Sequence, residues 1–307
     1  MTARPRPFTK GCTVATPAQW VEGARLRTLP MAAAPVIAGT AAAQTLYEAR
    51  VVPALLALVV ALALQIGVNY ANDYSDGVRG TDDERVGPLR LTGSGAATPR
   101  EVKTAAFACF GIAAVAGAAL VVLSQQWWLA VVGLLAIAAA WGYTGGKKPY
   151  GYMGLGDLFV FLFFGLVATL GTTITQAGRL NMDAWVMAVS TGLFACALLM
   201  ANNIRDIPGD REVGKQTLAV RLGDPKARLT FTAELFVGMV LPLLLVPGNP
   251  WVLLVYAMTP LAANAASTVL KTPERRELIP VLKMCGFINL GVTVLYAVAV
   301  FVQQYVG

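Results

Sequence analysis

Nine stretches of about 20 predominantly apolar residues follow one another along this chain, at roughly 28–46, 51–73, 101–123, 126–144, 155–175, 183–204, 226–246, 250–270 and 284–304. A helix of that length covers a ~30 Å hydrocarbon core at ~1.5 Å per residue, whereas a water-soluble helix would interleave a polar face. The stretches are continuously apolar rather than alternating, which excludes a transmembrane β-barrel. With 56% hydrophobic and 13% charged residues, the chain reads as an all-α, polytopic membrane protein with nine transmembrane helices.

The distribution of charge tests that reading. With the N-terminus cytoplasmic, 22 of the 24 Lys and Arg residues fall on the cytoplasmic side, and only Arg50 and Arg179 lie opposite. This asymmetry is the positive-inside pattern, and a wrong number of spans would scramble it. The net charge of +7 therefore needs no nucleic acid to explain it. Residues 1–27, basic and without an apolar core, are expected to form a cytoplasmic tail. Residues 28–307 are expected to form a single transmembrane domain in the plasma membrane, capped by the cytoplasmic loops 74–100, 145–154 and 205–225.

The chain has no His, so histidine catalysis and His-based zinc sites are excluded. Cys12, Cys109, Cys196 and Cys285 are widely separated and lack metal-ligand spacing. Acidic residues are more telling, because 15 of the 17 lie at or near the cytoplasmic face in two main clusters. NYANDYSDGVRGTDDERVGPLRL (69–91) closes the second apolar stretch, and ANNIRDIPGDREVGKQTLAVRLG (201–223) closes the sixth. Ala71, Asn72 and Asp76 recur as Ala201, Asn202 and Asp206 at an offset of 130 residues, which spans four helices and preserves orientation. The expected architecture is two pseudo-repeated four-helix halves plus one helix.

Asp73 and Asp76 are three apart and Asp206 and Asp210 four apart, so each pair shares a helix face with Asn72 or Asn202 adjacent. Such carboxylates repel, and at a membrane face they become reasonable around a cation. Oxygen-only donors suit a hard ion, and Mg²⁺ takes few carboxylates and completes its shell with water and phosphate. Asp83, Glu84, Glu212 and Asp224 read instead as solvated acids balancing nearby arginines. Cations alternate with the acids: Arg79, Arg85 and Arg90 after the first cluster, Arg205, Arg211 and Lys215 around the second, and Lys147 and Lys148 in YTGGKKPYGYMGLGD. This mixture suits a diphosphate held between a metal and basic side chains, although topology alone places cations there too.

NDYSD (72–76), DIPGD (206–210) and YTGGK (143–147) resemble the NDxxDxxxD, DxxxD and YxxxK signatures of the UbiA superfamily of intramembrane prenyltransferases. The resemblance covers nearly the whole chain beyond residue 20, with one departure: the final Asp of the first signature falls on Gly80, and the nearest acid is Asp82. NDYSDGVRGTDDERVGPLRL and GYMGLGDLFVFLFFG are most similar to the menaquinone branch, which prenylates 1,4-dihydroxy-2-naphthoate; a 4-hydroxybenzoate-type relative is the alternative within the family. The resemblance implies a polyprenyl diphosphate donor and two Mg²⁺ ions held by Asn72, Asp73, Asp76, Asp82, Asn202, Asp206 and Asp210. Catalysis would rest on Asp73, Asp76, Asp206, Asp210 and Lys147, and the diphosphate on Arg79, Lys147, Arg205, Arg211 and Lys215. The aromatic acceptor is expected beside Asn69, Tyr70, Tyr143 and Asp157, of which Tyr70, Tyr143 and Asp157 are alternatives for receiving a ring proton. Phe159, Phe161, Phe163 and Phe164 fit either a channel for the prenyl tail or ordinary packing. A secondary cation transporter would also carry repeated halves and acids, but near mid-helix rather than in one layer at helix ends.

Overall fold

The computed structural model describes residues 15–79, 89–146 and 149–306. Among them every regular element is helical, and no strand occurs. The main helices are α1 (Pro17–Gly23), α2 (Leu29–Gln44), α3 (Val51–Arg79), α4 (Pro99–Ser124) and α5 (Leu129–Gly142). Next comes α6 (Gly156–Val160), which runs through a π-helical segment, Phe161–Val167, into α7 (Ala168–Ala177). Then follow α8 (Met182–Glu212), α9 (Leu218–Leu222), α10 (Asp224–Val240), α11 (Thr259–Lys271) and α12 (Ile279–Tyr305).

Seven helical segments among the described residues are long and apolar enough to cross a membrane: α3, α4, α6–α7, α8, Asp224–Leu245, Pro250–Lys271 and Arg275–Tyr305. The ranges expected for the first and fourth spans hold the shorter helices α2, of 16 residues, and α5, of 14. The chain is a multi-pass membrane protein.

Local signals explain several boundaries. Thr98 caps α4 through the Glu101 amide while Glu101 bonds back to the Thr98 backbone, and Pro99 occupies the first turn, where a missing N–H costs nothing. Thr16 and Gln19 make the same reciprocal cap on α1. Neither acidic cluster ends its helix where the apolar run ends. α3 continues to Arg79 and α8 to Glu212, through Pro208, so both DxxD and DxxxD spacings sit on helix.

The centre of the bundle is α8, whose apolar window is 78% buried against α6–α7, α10, α12 and α2. Small residues allow that approach. A Cβ on Gly165 would lie 2.6 Å from the Gly192 Cα, so the π-helical segment and α8 meet backbone to backbone. Two buried hydroxyls tie neighbouring helices together: Ser190 Oγ donates to the Gly238 carbonyl at 2.7 Å, and Thr173 Oγ1 to that of Gly39 at 2.9 Å. A second core joins α3 to α4 through Ala71, Val102, Ala106 and Phe110, with Leu91 and Tyr70 beneath α1.

Candidate active site

A cavity of about 860 Å³ opens between α2, α3, α4, α5, the π-helical segment and α8. Its body is apolar, with an aromatic wall in which Tyr150 stacks on Phe159 at 4.1 Å and Phe159 on Phe163 at 6.1 Å. Phe164 also lines it, while Phe161 packs over Gly192. Its polar end carries Asn69, Asn72, Asn202, Tyr143, Arg27, Arg90 and Arg205. The two acidic helix ends thus meet at one end of an apolar chamber.

Asp76 is 3% exposed and lies among cations. Its Oδ2 is 3.6 Å from Arg90 Nη2 and its Oδ1 3.6 Å from Lys215 Nζ, a residue of the second cluster. Tyr152 donates its hydroxyl to the same Oδ1 at 2.7 Å. Burial first, and then the Asp76 charge, push the Tyr152 phenol above its ordinary range, so it stays a donor. On α8, Arg205 forms a bidentate pair with Asp206, 2.7 Å to each oxygen, and its Nη2 also reaches Asn202 Oδ1 at 2.8 Å. Arg27 faces this layer: burial, then Arg205 and Arg90, lower its pKa, with Glu22 opposing. Three guanidiniums therefore converge where an anion would be welcome.

Other expected site residues have different engagements. Asp73, 1% exposed, accepts the backbone amides of Leu91 and Thr92, and its carboxylate faces the turn after Arg90. Asn72 Oδ1 accepts from Thr144 Oγ1 at 2.7 Å. Arg79 donates to the carbonyls of Thr144 and Gly146 at 2.5 and 2.6 Å, which fixes the exit from α5 to the end of α3. Asn69 Nδ2 holds the Ala24 carbonyl at 2.9 Å, and Tyr70 donates to that of Trp20 at 2.9 Å, so this pair docks the N-terminal helix as well as standing near the cavity. Asp157 is buried, does not line the cavity, and neither of its oxygens has a hydrogen-bond partner among the described residues. Asp210 sits beside Lys215, whose amide donates to the Asp210 carbonyl at 2.7 Å. Arg211 lies in the last turn of α8. Asp82 and Lys147 lie outside the described residues.

Sequence reasoning assigned no role to Tyr152, Thr144 or Arg27, and noted Arg90 only as a flanking cation. None belongs to a recognisable spacing, because each reaches the site from a connection whose path the sequence leaves open.

Among the described residues no group of three or more His, Cys, Asp or Glu is arranged to hold a metal by itself. The oxygens of Asn72 and Asn202, which line the cavity's polar end, and of Asp76, Asp206 and Asp210 on the same two helices are nonetheless hard donors, and the carboxylates of Asp76 and Asp206 are each matched by positive charge. That donor set fits a Mg²⁺ ion that binds together with a phosphate ligand, which supplies the remaining oxygens.

The 1,4-dihydroxy-2-naphthoate octaprenyltransferase of Mycobacterium tuberculosis (strain ATCC 25618 / H37Rv) is 55% identical over 273 residues, covering 89% of this chain and 93% of the relative. The protein of the same name from Escherichia coli (strain K12) is 38% identical over 93% of this chain and 96% of its own length. Among solved structures, the apo form of a UbiA homolog from Aeropyrum pernix K1 superposes with a TM-score of 0.62 at 18% identity, covering 90% of this chain and 98% of the other. A UbiA homolog from Archaeoglobus fulgidus bound to GPP and Mg²⁺ also gives 0.62, at 13% identity, covering 92% of this chain and 99% of the other. Over residues 32–302 the sequence matches the UbiA prenyltransferase family, and the chain belongs to it.

Proposed function

We propose that this protein transfers a polyprenyl group from polyprenyl diphosphate to 1,4-dihydroxy-2-naphthoate, releasing pyrophosphate and CO₂ and leaving the prenylated quinol, which a separate two-electron oxidation converts to demethylmenaquinone. The observation that carries the choice of acceptor is the 55% identity, over 89% of the chain, to a relative bearing that activity in its name. The cavity supports the donor class: an apolar chamber of about 860 Å³ suits a prenyl chain, and the charged end suits its diphosphate.

In this reading Arg27, Arg90, Arg205 and Lys215 bind the diphosphate oxygens, joined by Arg79, Arg211 and Lys147. Charge on the departing pyrophosphate is stabilised by groups already fixed in place, so little reorganisation is needed as the allylic C–O bond breaks. Asn72, Asp76, Asn202, Asp206 and Asp210 would hold Mg²⁺, two ions in this reading, which would neutralise charge on the pyrophosphate. Tyr143, Tyr150 and Phe159 on the chamber wall exclude water and offer π-faces to a developing carbocation. The electron-rich naphthoate ring then forms the new C–C bond, and the C–CO₂ bond breaks, its electron pair returning to the ring. The topology that accompanies this reading has nine spans, with the N-terminus and the acidic cap on the cytoplasmic side of the plasma membrane.

Purified protein given Mg²⁺, a polyprenyl diphosphate and either 1,4-dihydroxy-2-naphthoate or 4-hydroxybenzoate tests the assignment. Prenylated naphthoate product with CO₂ release is expected. Turnover of 4-hydroxybenzoate alone would move the protein to another branch, and no transfer to either acceptor would sink the enzyme reading.

A further inference from the structure

We infer that Tyr152 is a positioning residue that sets the carboxylate of Asp76 and seats Lys215 against it, coupling the two acidic helix ends. This deepens the proposed metal–diphosphate site and rests on that reading. Tyr152 belongs to neither acidic helix. It lies on the short helical turn Tyr150–Met153 between α5 and α6, and its hydroxyl donates to Asp76 Oδ1 at 2.7 Å.

Two cations lie against its ring. Lys215 Nζ stands 4.4 Å from the ring centroid and Arg79 Cζ 5.2 Å, distances at which the ring's quadrupole attracts positive charge. Lys215 comes from the α8–α9 connection and Arg79 from the end of α3, so one aromatic ring is shared by the two halves.

The backbone of the same turn is tied to the second half. The Gln216 amide donates to the Tyr152 carbonyl at 2.9 Å, and Arg221 Nη2 to that of Met153 at 2.8 Å. Gly154 follows with φ +75°, and a Cβ there would meet the Gln216 carbonyl at 2.8 Å, so the close approach requires glycine. On the first-half side, Arg79 grips the Thr144 and Gly146 carbonyls. A side chain held from both directions is pre-organised, and the hydroxyl leaves Asp76 Oδ2 to face Arg90.

The test measures binding rather than turnover. Purified protein is incubated with ³²P-labelled inorganic pyrophosphate, and retention on rapid filtration is followed as Mn²⁺ is raised. Tyr152→Phe keeps the ring and loses only the hydroxyl, and a three- to tenfold rise in half-saturating Mn²⁺ is expected, the scale of one lost hydrogen bond. In an Asp76→Asn background the same change should add nothing. Tyr256→Phe is the comparator, because it removes a tyrosine hydroxyl that donates to the Met239 carbonyl at 2.9 Å, away from the cavity; half-saturation should stay at the wild-type value. If Asp76→Asn itself leaves half-saturation unchanged, the metal reading fails. If Asp76→Asn raises it and Tyr152→Phe does not, the inference about Tyr152 is overturned with the metal reading intact. Equal rises for Tyr256→Phe and Tyr152→Phe, or an undiminished Tyr152→Phe effect in the Asp76→Asn background, also overturn it.

Discussion

Asp73 accepts the amide of Thr92 on Oδ1 at 2.8 Å, and its Oδ2 takes the neighbouring Leu91 amide at 2.7 Å. The carboxylate therefore holds the turn that places Arg90 beside Asp76. Gly77 makes room for it, since a Cβ there would lie 2.5 Å from Thr92 Cγ2. An Asn in place of Asp73 offers one acceptor and turns an N–H₂ group towards an amide donor, which costs about 1–3 kcal/mol at a buried position. For Asp73→Asn we expect a lower melting temperature and a raised KM for the polyprenyl diphosphate. The Mg²⁺ concentration for half-activity should stay near wild type, and a large shift in it would make Asp73 a ligand instead.

Asp76→Asn and Asp206→Asn are expected to reduce kcat at least ~100-fold, about 3 kcal/mol of transition-state stabilisation, while the protein still folds and inserts. Each substitution is nearly isosteric. Removing one charge also leaves Lys215 and Arg90, or Arg205, without a full counter-charge. Steady-state turnover at saturating Mg²⁺ checks this, and near-normal rates in either variant would exclude a metal role for that residue.

What the sequence made legible follows from periodicity and charge, which depend on neighbours along the chain. Unbroken apolar runs marked the helices, and NDYSD and DIPGD marked the charged end of the bundle. Spacing groups Asp73 with Asp76 and Asp206, and it does not show that Asp73 accepts the Leu91 and Thr92 amides, which belong to a turn 18 and 19 residues away. Tyr152 stayed hidden for the same reason: its aim at Asp76 depends on how Arg221 and Gln216 fix a glycine-rich connection. Arg205, expected at the diphosphate, also pairs with its own neighbour Asp206, a rotamer choice that no spacing encodes. The short lengths of α2 and α5 could not be read either, since the apolar runs there continue past the helix ends.

The Gly165–Gly192 contact yields a stability prediction. A Cβ on Gly165 would lie 2.8 Å from the Ala188 carbonyl and 2.6 Å from the Gly192 Cα, both rigid backbone atoms. Gly165→Ala should force α8 and the π-helical segment apart and destabilise the bundle by ~1–3 kcal/mol, the usual scale of overpacking. Gly171 has nothing within 4 Å of its Cβ position, so Gly171→Ala on the same helical unit should be near neutral. Melting in detergent, followed by intrinsic fluorescence, separates the two.

Arg79 and Lys147 yield the last prediction, which distinguishes a catalytic lysine from a merely cationic loop. Arg79 donates to the carbonyls of Thr144 and Gly146, so residues 144–146, which lead to Lys147, are tied to the end of α3, and Thr144 Oγ1 donates to Asn72 Oδ1. Topology needs only a cation there, and either lysine would serve. If Lys147 contacts the diphosphate, Lys147→Gln should lower kcat/KM by ~1–3 kcal/mol, the scale of a lost charge-assisted contact, and Lys148→Gln by much less. Arg79→Gln should reduce activity by releasing the segment, and the double variant Arg79→Gln/Lys147→Gln should fall short of the sum of the two single losses, because a loosened loop no longer presents the lysine. Equal, small effects at Lys147 and Lys148, with strict additivity to Arg79→Gln, would leave the lysines an orientation role only. The diphosphate would then rest on Arg90, Arg205 and Lys215, whose side chains already face the paired carboxylates.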